Sequence, residues 1–261
     1  MIFQYGELPV HYIDEGEGIP ILLLHGWMGN GDSFLPLRRG LRNAHCRLIA
    51  PDFPGQGGQT CEPPVPCDVY EHANIVRALM KELGIERVSI VAHSFGGRVS
   101  LKLAAESPEL VDKMVLTGCA GLKPRKTLKR RARGMAYRAA RAFVEGPLAK
   151  VEALDQERLR EALISRFGSA DYKALSPSLR QTFNLVVAED LSYCLPKISA
   201  PTVLVYGTDD RETPVWMGEK VAREIPDAAL IPFEGAGHFA YLEWHGKFLA
   251  IVQNFLLPED G

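Results

Sequence analysis

The sequence predicts an α/β protein built on a doubly wound, mostly parallel sheet, preceded by an antiparallel hairpin and interrupted by a block of helices. Three observations predict it. Short apolar runs recur and are continuous rather than alternating, as strands covered on both faces are. Helical patterns lie between most of them, and strand alternating with helix gives a parallel sheet. The alternation then fails between residues 121 and 198, where no strand-like run occurs.

Taken in order, the first fifteen residues, with GELP as the turn, read as the hairpin. The runs IPILLLHG, CRLIAPD, VSIVAHS, DKMVLTG, PTVLVYG and AALIPFEG follow as core strands, each closed by polar or turn residues. Residues 69–84 read as a helix ended by Gly84, 96–107 as one stopped by Pro108, and 242–257 as one stopped by Pro258. Within the interruption, helices are expected inside 127–144, from Asp155 to Gly168, and from Ser176, an N-cap with Pro177 in the first turn. The simplest organisation is a core of residues 1–120 and 199–261 with a helical cap, 121–198, inserted between two core strands.

Composition narrows the function classes. The 261 residues are 46% hydrophobic and 24% charged, which suits one globular protein with a large core. A net charge of −2 and the lack of a reader motif argue against nucleic acid as a partner. The opening residues lack a basic segment followed by an apolar one, and no run approaches the ~18 apolar residues of a membrane span. A soluble, cytoplasmic protein is expected. Cys46, Cys61, Cys67, Cys119 and Cys194 are an odd set without metal-ligand spacing, read as reduced thiols, with a Cys61–Cys67 bridge as the lesser alternative. No metal or other cofactor is expected.

Ligands of an open parallel sheet sit beyond the carboxyl ends of its strands, so the residues that end the runs are the candidates. Ser94 ends one, in VAHSFGG. This is the G-x-S-x-G pattern with Ala92 in place of the first glycine, a strand–turn–helix corner from which a serine projects its hydroxyl. Asp209 and Asp210 lie just past a later strand, and His238 lies in a glycine-flanked loop past the last. Ser, Asp, His is the chain order of a catalytic triad on such a sheet. Each residue type has a task. A serine hydroxyl is a weak nucleophile until an imidazole accepts its proton, and the imidazole needs a carboxylate to fix its tautomer. The amide after the nucleophile, on Phe95, is one expected donor to the developing oxyanion.

With these motifs the sequence resembles the α/β-hydrolase family over nearly its full length. The family's glycine-x-x-aspartate loop aligns with Gly207 to Asp210 and its proline with Pro214, so the resemblance implies Asp210 rather than Asp209 as the triad acid. Its H-G-x-x-G segment aligns with HGWMG and implies the Trp27 amide as the second oxyanion donor. PDFPGQG resembles the family's turn, in which Asp52 is structural. Trp27, Met28 and Phe95 are expected to line an apolar acyl site. His11, His45, His72 and His245 lack paired ligand spacing and are read as surface or locally bonded residues; Glu243 is read as a buried polar tether.

The resemblance thus implies a carboxylesterase-like serine hydrolase of an ester, thioester or lactone, with a small-molecule acyl substrate. A carbon–carbon bond hydrolase on the same triad is the alternative, and a non-catalytic receptor a lesser one. Members that use an aspartate nucleophile are argued against by Ser94. The expected cap carries seven Lys or Arg within residues 123–133, then Arg138 and Arg141. Either this is a solvated helix face or it docks an acidic acyl carrier near the site.

Overall fold

The computed structural model describes residues 1–58, 60–123, 128–147, 155–167 and 170–258. Among these the sheet has eight strands in the order β1-β2-β4-β3-β5-β6-β7-β8. They are β1 (Ile2–Tyr5), β2 (Leu8–Gly16), β3 (Ile19–Leu24), β4 (Cys46–Pro51), β5 (Val88–His93), β6 (Val111–Thr117), β7 (Thr202–Gly207) and β8 (Ala228–Phe233). The hairpin β1–β2 joins antiparallel to β4, and all later pairings are parallel.

Why the runs are continuous is visible strand by strand. In β3, Leu22 and Leu24 face one apolar cluster while Ile21 and Leu23 face another on the opposite side, all at 0% exposure. The first cluster is closed by α2 (Val69–Glu82), α3 (Phe95–Glu106) and α8 (Val215–Glu224). The second is closed by α1 (Leu35–Gly40), α9 (Ala240–Glu243) and α10 (His245–Leu256). With both faces covered, the middle of such a strand is apolar at successive positions rather than at alternate ones.

Register delivers the candidate residues to one edge. Leu24 pairs with Ala92, His93 with Thr117, Thr117 with Val205, and Gly207 with Phe233. Parallel strands aligned in this way end together, so the loops after β3, β5, β6, β7 and β8 emerge side by side.

Two expectations need correction. The helix expected over 242–257 is two pieces, α9 and α10, broken where Trp244 leaves the helical region (φ −115°, ψ 44°). The Glu243 carboxylate accepts from the Gly237 N–H, holding the first piece to the preceding loop, while Phe248, Val252 and Leu256 bury the second in the core. Glu243 is therefore a tether, but an exposed one. The block expected at 121–198 is also shorter: a second compact unit spans 124–184. Leu122, Val186, Leu191, Leu195 and Ile198 are buried in the core cluster of the first unit, which retains both flanks.

The second unit contains α4 (Leu128–Glu145), α5 (Gln156–Phe167), α6 (Ala170–Ala174) and the first part of α7 (Pro177–Ala188). Asp155 accepts from the Arg158 amide and Ser176 from the Leu179 amide, the side-chain caps that the sequence signals. Residues 124–127 and the side chains of 128–131 and 133 lie outside the described residues, and with them Arg130, Arg131 and Arg133 of the basic segment. All five cysteines are free thiols. Among the described residues no helix is long and apolar enough to cross a membrane.

Candidate active site

The corner after β5 is built from strain and from close approach. Ser94 has φ 48° and ψ −106°, a region that side chains avoid at a cost of about 1–3 kcal/mol. Among the described residues only Met28, at φ 60°, shares a positive φ without being glycine. The corner is held open by its neighbours: Ser94 N donates to Thr117 O, and Ala120 N donates to Ser94 O, both at 3.1 Å. Gly96 is required by the spacing of the motif. A Cβ there would lie 2.0 Å from the Leu24 carbonyl oxygen, so only glycine lets α3 start against the end of β3.

From this corner a hydrogen-bond chain runs across the sheet edge. Ser94 Oγ lies 3.0 Å from His238 Nε2, and His238 Nδ1 lies 2.8 Å from Asp210 Oδ2. Asp210 is 4% exposed. Its Oδ1 accepts from the Glu212 and Thr213 amides at 2.8 and 2.9 Å, and its Oδ2 also accepts from Thr213 Oγ1 at 2.7 Å. Burial pushes this carboxyl up, but the bonds from His238 and Thr213 together outweigh burial and hold it below the usual carboxylate range. Of the two candidate acids only Asp210 joins the chain; Asp209 is exposed, with its amide tied to Ala236 O.

Thr213 escaped the sequence reading. Its hydroxyl also lies 3.0 Å from Gly118 O and 3.2 Å from His238 Nδ1, so one proton serves two acceptors, Asp210 Oδ2 and Gly118 O. The signal was available: an aspartate that accepts from the amides two and three residues on forms a local turn, and Thr213 stands at that third place.

The loop after β3 is stapled to the loop after β4 by three side chains. His25 Nδ1–H donates to Gly26 O at 2.7 Å while its Nε2 accepts from Phe53 N at 3.0 Å, which fixes a neutral tautomer. Burial pushes His25 down to about 4. Asp52 accepts from Gly31 N at 2.7 Å and from His11 Nδ1 at 2.9 Å, the structural part expected of it. Gln56, unremarked in the sequence, is fully buried and accepts from Met28 N at 2.8 Å, holding the strained Met28 turn next to Trp27. The Trp27 ring meets Phe95 edge-on at 5.2 Å.

The expected acyl site is altered at one position. Phe95 is 3% exposed, its ring wedged among Trp27, Phe53 and His72 at 5.0–5.2 Å, so it braces the loop after β3 and leaves almost no surface for a ligand. Trp27 is half-buried and Met28 exposed. His72 is likewise in the core, bonded through Nδ1 to Asp68 O at 2.7 Å, and burial pushes it down to about 4. No group of three or more potential metal ligands occurs among the described residues.

A profile of the alpha/beta hydrolase fold matches residues 19–243. The chain belongs to the alpha/beta hydrolase family. Among curated relatives, the 2-hydroxy-6-oxo-6-phenylhexa-2,4-dienoate hydrolase of Comamonas testosteroni is 29% identical, over 95% of this chain and 91% of the relative. A 2-hydroxy-6-oxononadienedioate/2-hydroxy-6-oxononatrienedioate hydrolase of Paraburkholderia xenovorans is also 29% identical, over 96% and 91%. Among solved structures, an esterase from Exiguobacterium antarcticum superposes with a TM-score of 0.74 at 23% identity, over 95% of this chain and 96% of that one. That last likeness is one of fold. For this hydrolase the match runs from the first residue of β3 to the last of α9.

Proposed function

We propose that this hydrolase cleaves a carboxylic ester, thioester or lactone through an acyl-enzyme on Ser94. The observation that carries the reading is the unbroken chain Ser94–His238–Asp210, closed by a buried carboxylate with four donors. Ser94 Oγ attacks the carbonyl carbon as His238 Nε2 takes its proton. The amides of Trp27 and Phe95, the latter at the positive end of α3, donate to the oxyanion. Collapse of the tetrahedral intermediate expels the alcohol or thiol, protonated by His238, and water then repeats the cycle on the acyl-enzyme. The helices of 124–184 are read as the cap of such an enzyme. The basic sequence of 123–133 supports an acidic carrier as the bearer of a thioester.

A second reading is favoured by the relatives named for 2-hydroxy-6-oxo dienoates, compounds that carry no ester and would be hydrolysed at a carbon–carbon bond.

The test is hydrolysis of p-nitrophenyl esters from acetate to decanoate. Turnover that peaks at one chain length is expected. Consumption of a 2-hydroxy-6-oxo dienoate with no ester turnover would replace the first reading by the second. On the best ester, Thr213→Val should lower kcat about tenfold with KM unchanged, the effect of one hydrogen bond to a charged group. An unchanged kcat would remove Thr213 from the relay.

A further inference from the structure

His93, the last residue of β5, is 3% exposed and takes no part in the chain of bonds described above. Its Nε2 lies 3.0 Å from the backbone carbonyl oxygen of His238, 145 residues further on. A carbonyl only accepts, so Nε2 carries the proton and Nδ1 keeps its lone pair. Burial, helped by the neighbouring His238, pushes His93 down to about 3, so the ring stays neutral and the donor stays in place at ordinary pH.

Three other rings pack against it. Its centroid stands 4.8 Å from that of His238, 5.1 Å from Phe239 and 4.9 Å from Tyr241. Against the oxyanion loop, a Cβ at position 26 would come within 2.6 Å of His93 Nδ1, so Gly26 is what allows that loop to close on the ring. The nucleophile corner, the His238 loop and the oxyanion turn therefore meet at one imidazole that is not itself part of the relay.

We propose that His93 is a positioning residue that sets the distance between base and nucleophile by holding the His238 backbone with its Nε2–H. This rests on the triad reading given under Proposed function. The residues between β8 and α9 form a loop, so the reach of the His238 imidazole depends on where its backbone is anchored. A tie made from the residue adjacent to Ser94 fixes that anchor in the nucleophile's own frame. Proton transfer over 3.0 Å tolerates little misplacement; a shift of about 1 Å is worth roughly 10²-fold in rate.

The test compares His93→Phe, which keeps a flat ring but has no donor, with His93→Gln, whose amide reaches the same place with an N–H. Two probes are read: p-nitrophenyl butyrate turnover, and covalent labelling of the serine by a fluorophosphonate, in which the Ser94 oxygen bonds phosphorus and fluoride leaves. His93→Phe should lose about 10–100-fold in kcat and in the limiting labelling rate. KM and the half-saturating probe concentration should stay within about twofold of wild type, and His93→Gln should recover most of the loss. If His93→Phe does not fold, His93→Leu carries the same comparison. Labelling at the wild-type rate without the donor, or a glutamine variant as slow as the phenylalanine one, overturns the proposal. Labelling of Ser94→Ala at the wild-type rate would instead overturn the triad reading.

Discussion

Ser94→Ala should bring ester turnover down to background, a loss of roughly 10⁵-fold or more, while the melting temperature moves by only a few degrees. The expected loss is large because in the proposed mechanism the relay acts as a unit: without Oγ, His238 would have no proton to accept and Asp210 would orient an idle imidazole. The stability change is small because only one hydrogen bond is removed, and alanine occupies the same strained backbone that serine does. Parallel measurement of p-nitrophenyl butyrate hydrolysis and of thermal unfolding separates the two effects. A folded Ser94→Ala protein that still turns over would remove Ser94 as the nucleophile.

Acid should unfold the protein steeply below pH 6.5. Three buried histidines surround the site: burial pushes His25 and His72 down to about 4 and His93 to about 3, each from 6.5. In the unfolded chain they bind protons as pH falls through 6.5; in the folded protein they do not until about 4 or 3. The unfolded state thus holds more protons throughout that window, so stability is complete above 6.5 and is lost as pH falls. With three protons at about 1.4 kcal/mol per pH unit each, the slope approaches about 4 kcal/mol per pH unit. Against a total stability of roughly 5–15 kcal/mol, one or two units of acidification is decisive. Asp210, held below its usual range, adds loss of the same sign at still lower pH. Urea midpoints from pH 7.5 to 4.5 test this; a midpoint flat down to pH 5 would contradict it, and His72→Phe should remove one proton from the slope.

What was legible in the sequence follows from what makes a signal local. The inner core strands could be read because they bury both faces and so show an unbroken apolar run, as β3 does with Ile21 to Leu24, whereas β8, at the sheet edge, is apolar with only Phe233 fully buried. Ser94, Asp210 and His238 could be read because parallel register turns strand ends into neighbours, and chain order with the family's loop spacing separated Asp210 from Asp209. Thr213 and Gln56 were not found, because the burial of a polar side chain is decided by whichever loop arrives from elsewhere. The direction of the Phe95 ring was missed for the same reason: Trp27, Phe53 and His72 come from three separate segments. The ends of the helical unit were misjudged because Leu122, Val186 and Leu191 look like any amphipathic residues until their partners are known.

The backbone at Ser94 has an evolutionary consequence. Glycine enters φ 48°, ψ −106° without the clash that any Cβ makes there, so it is the residue that heat resistance alone would select at this codon. On the mechanism proposed above, turnover selects against it at every generation. Stability and the proposed chemistry then pull a single position in opposite directions, and lineages freed from the need for the reaction should lose Ser94 early, by a change that makes the fold more durable.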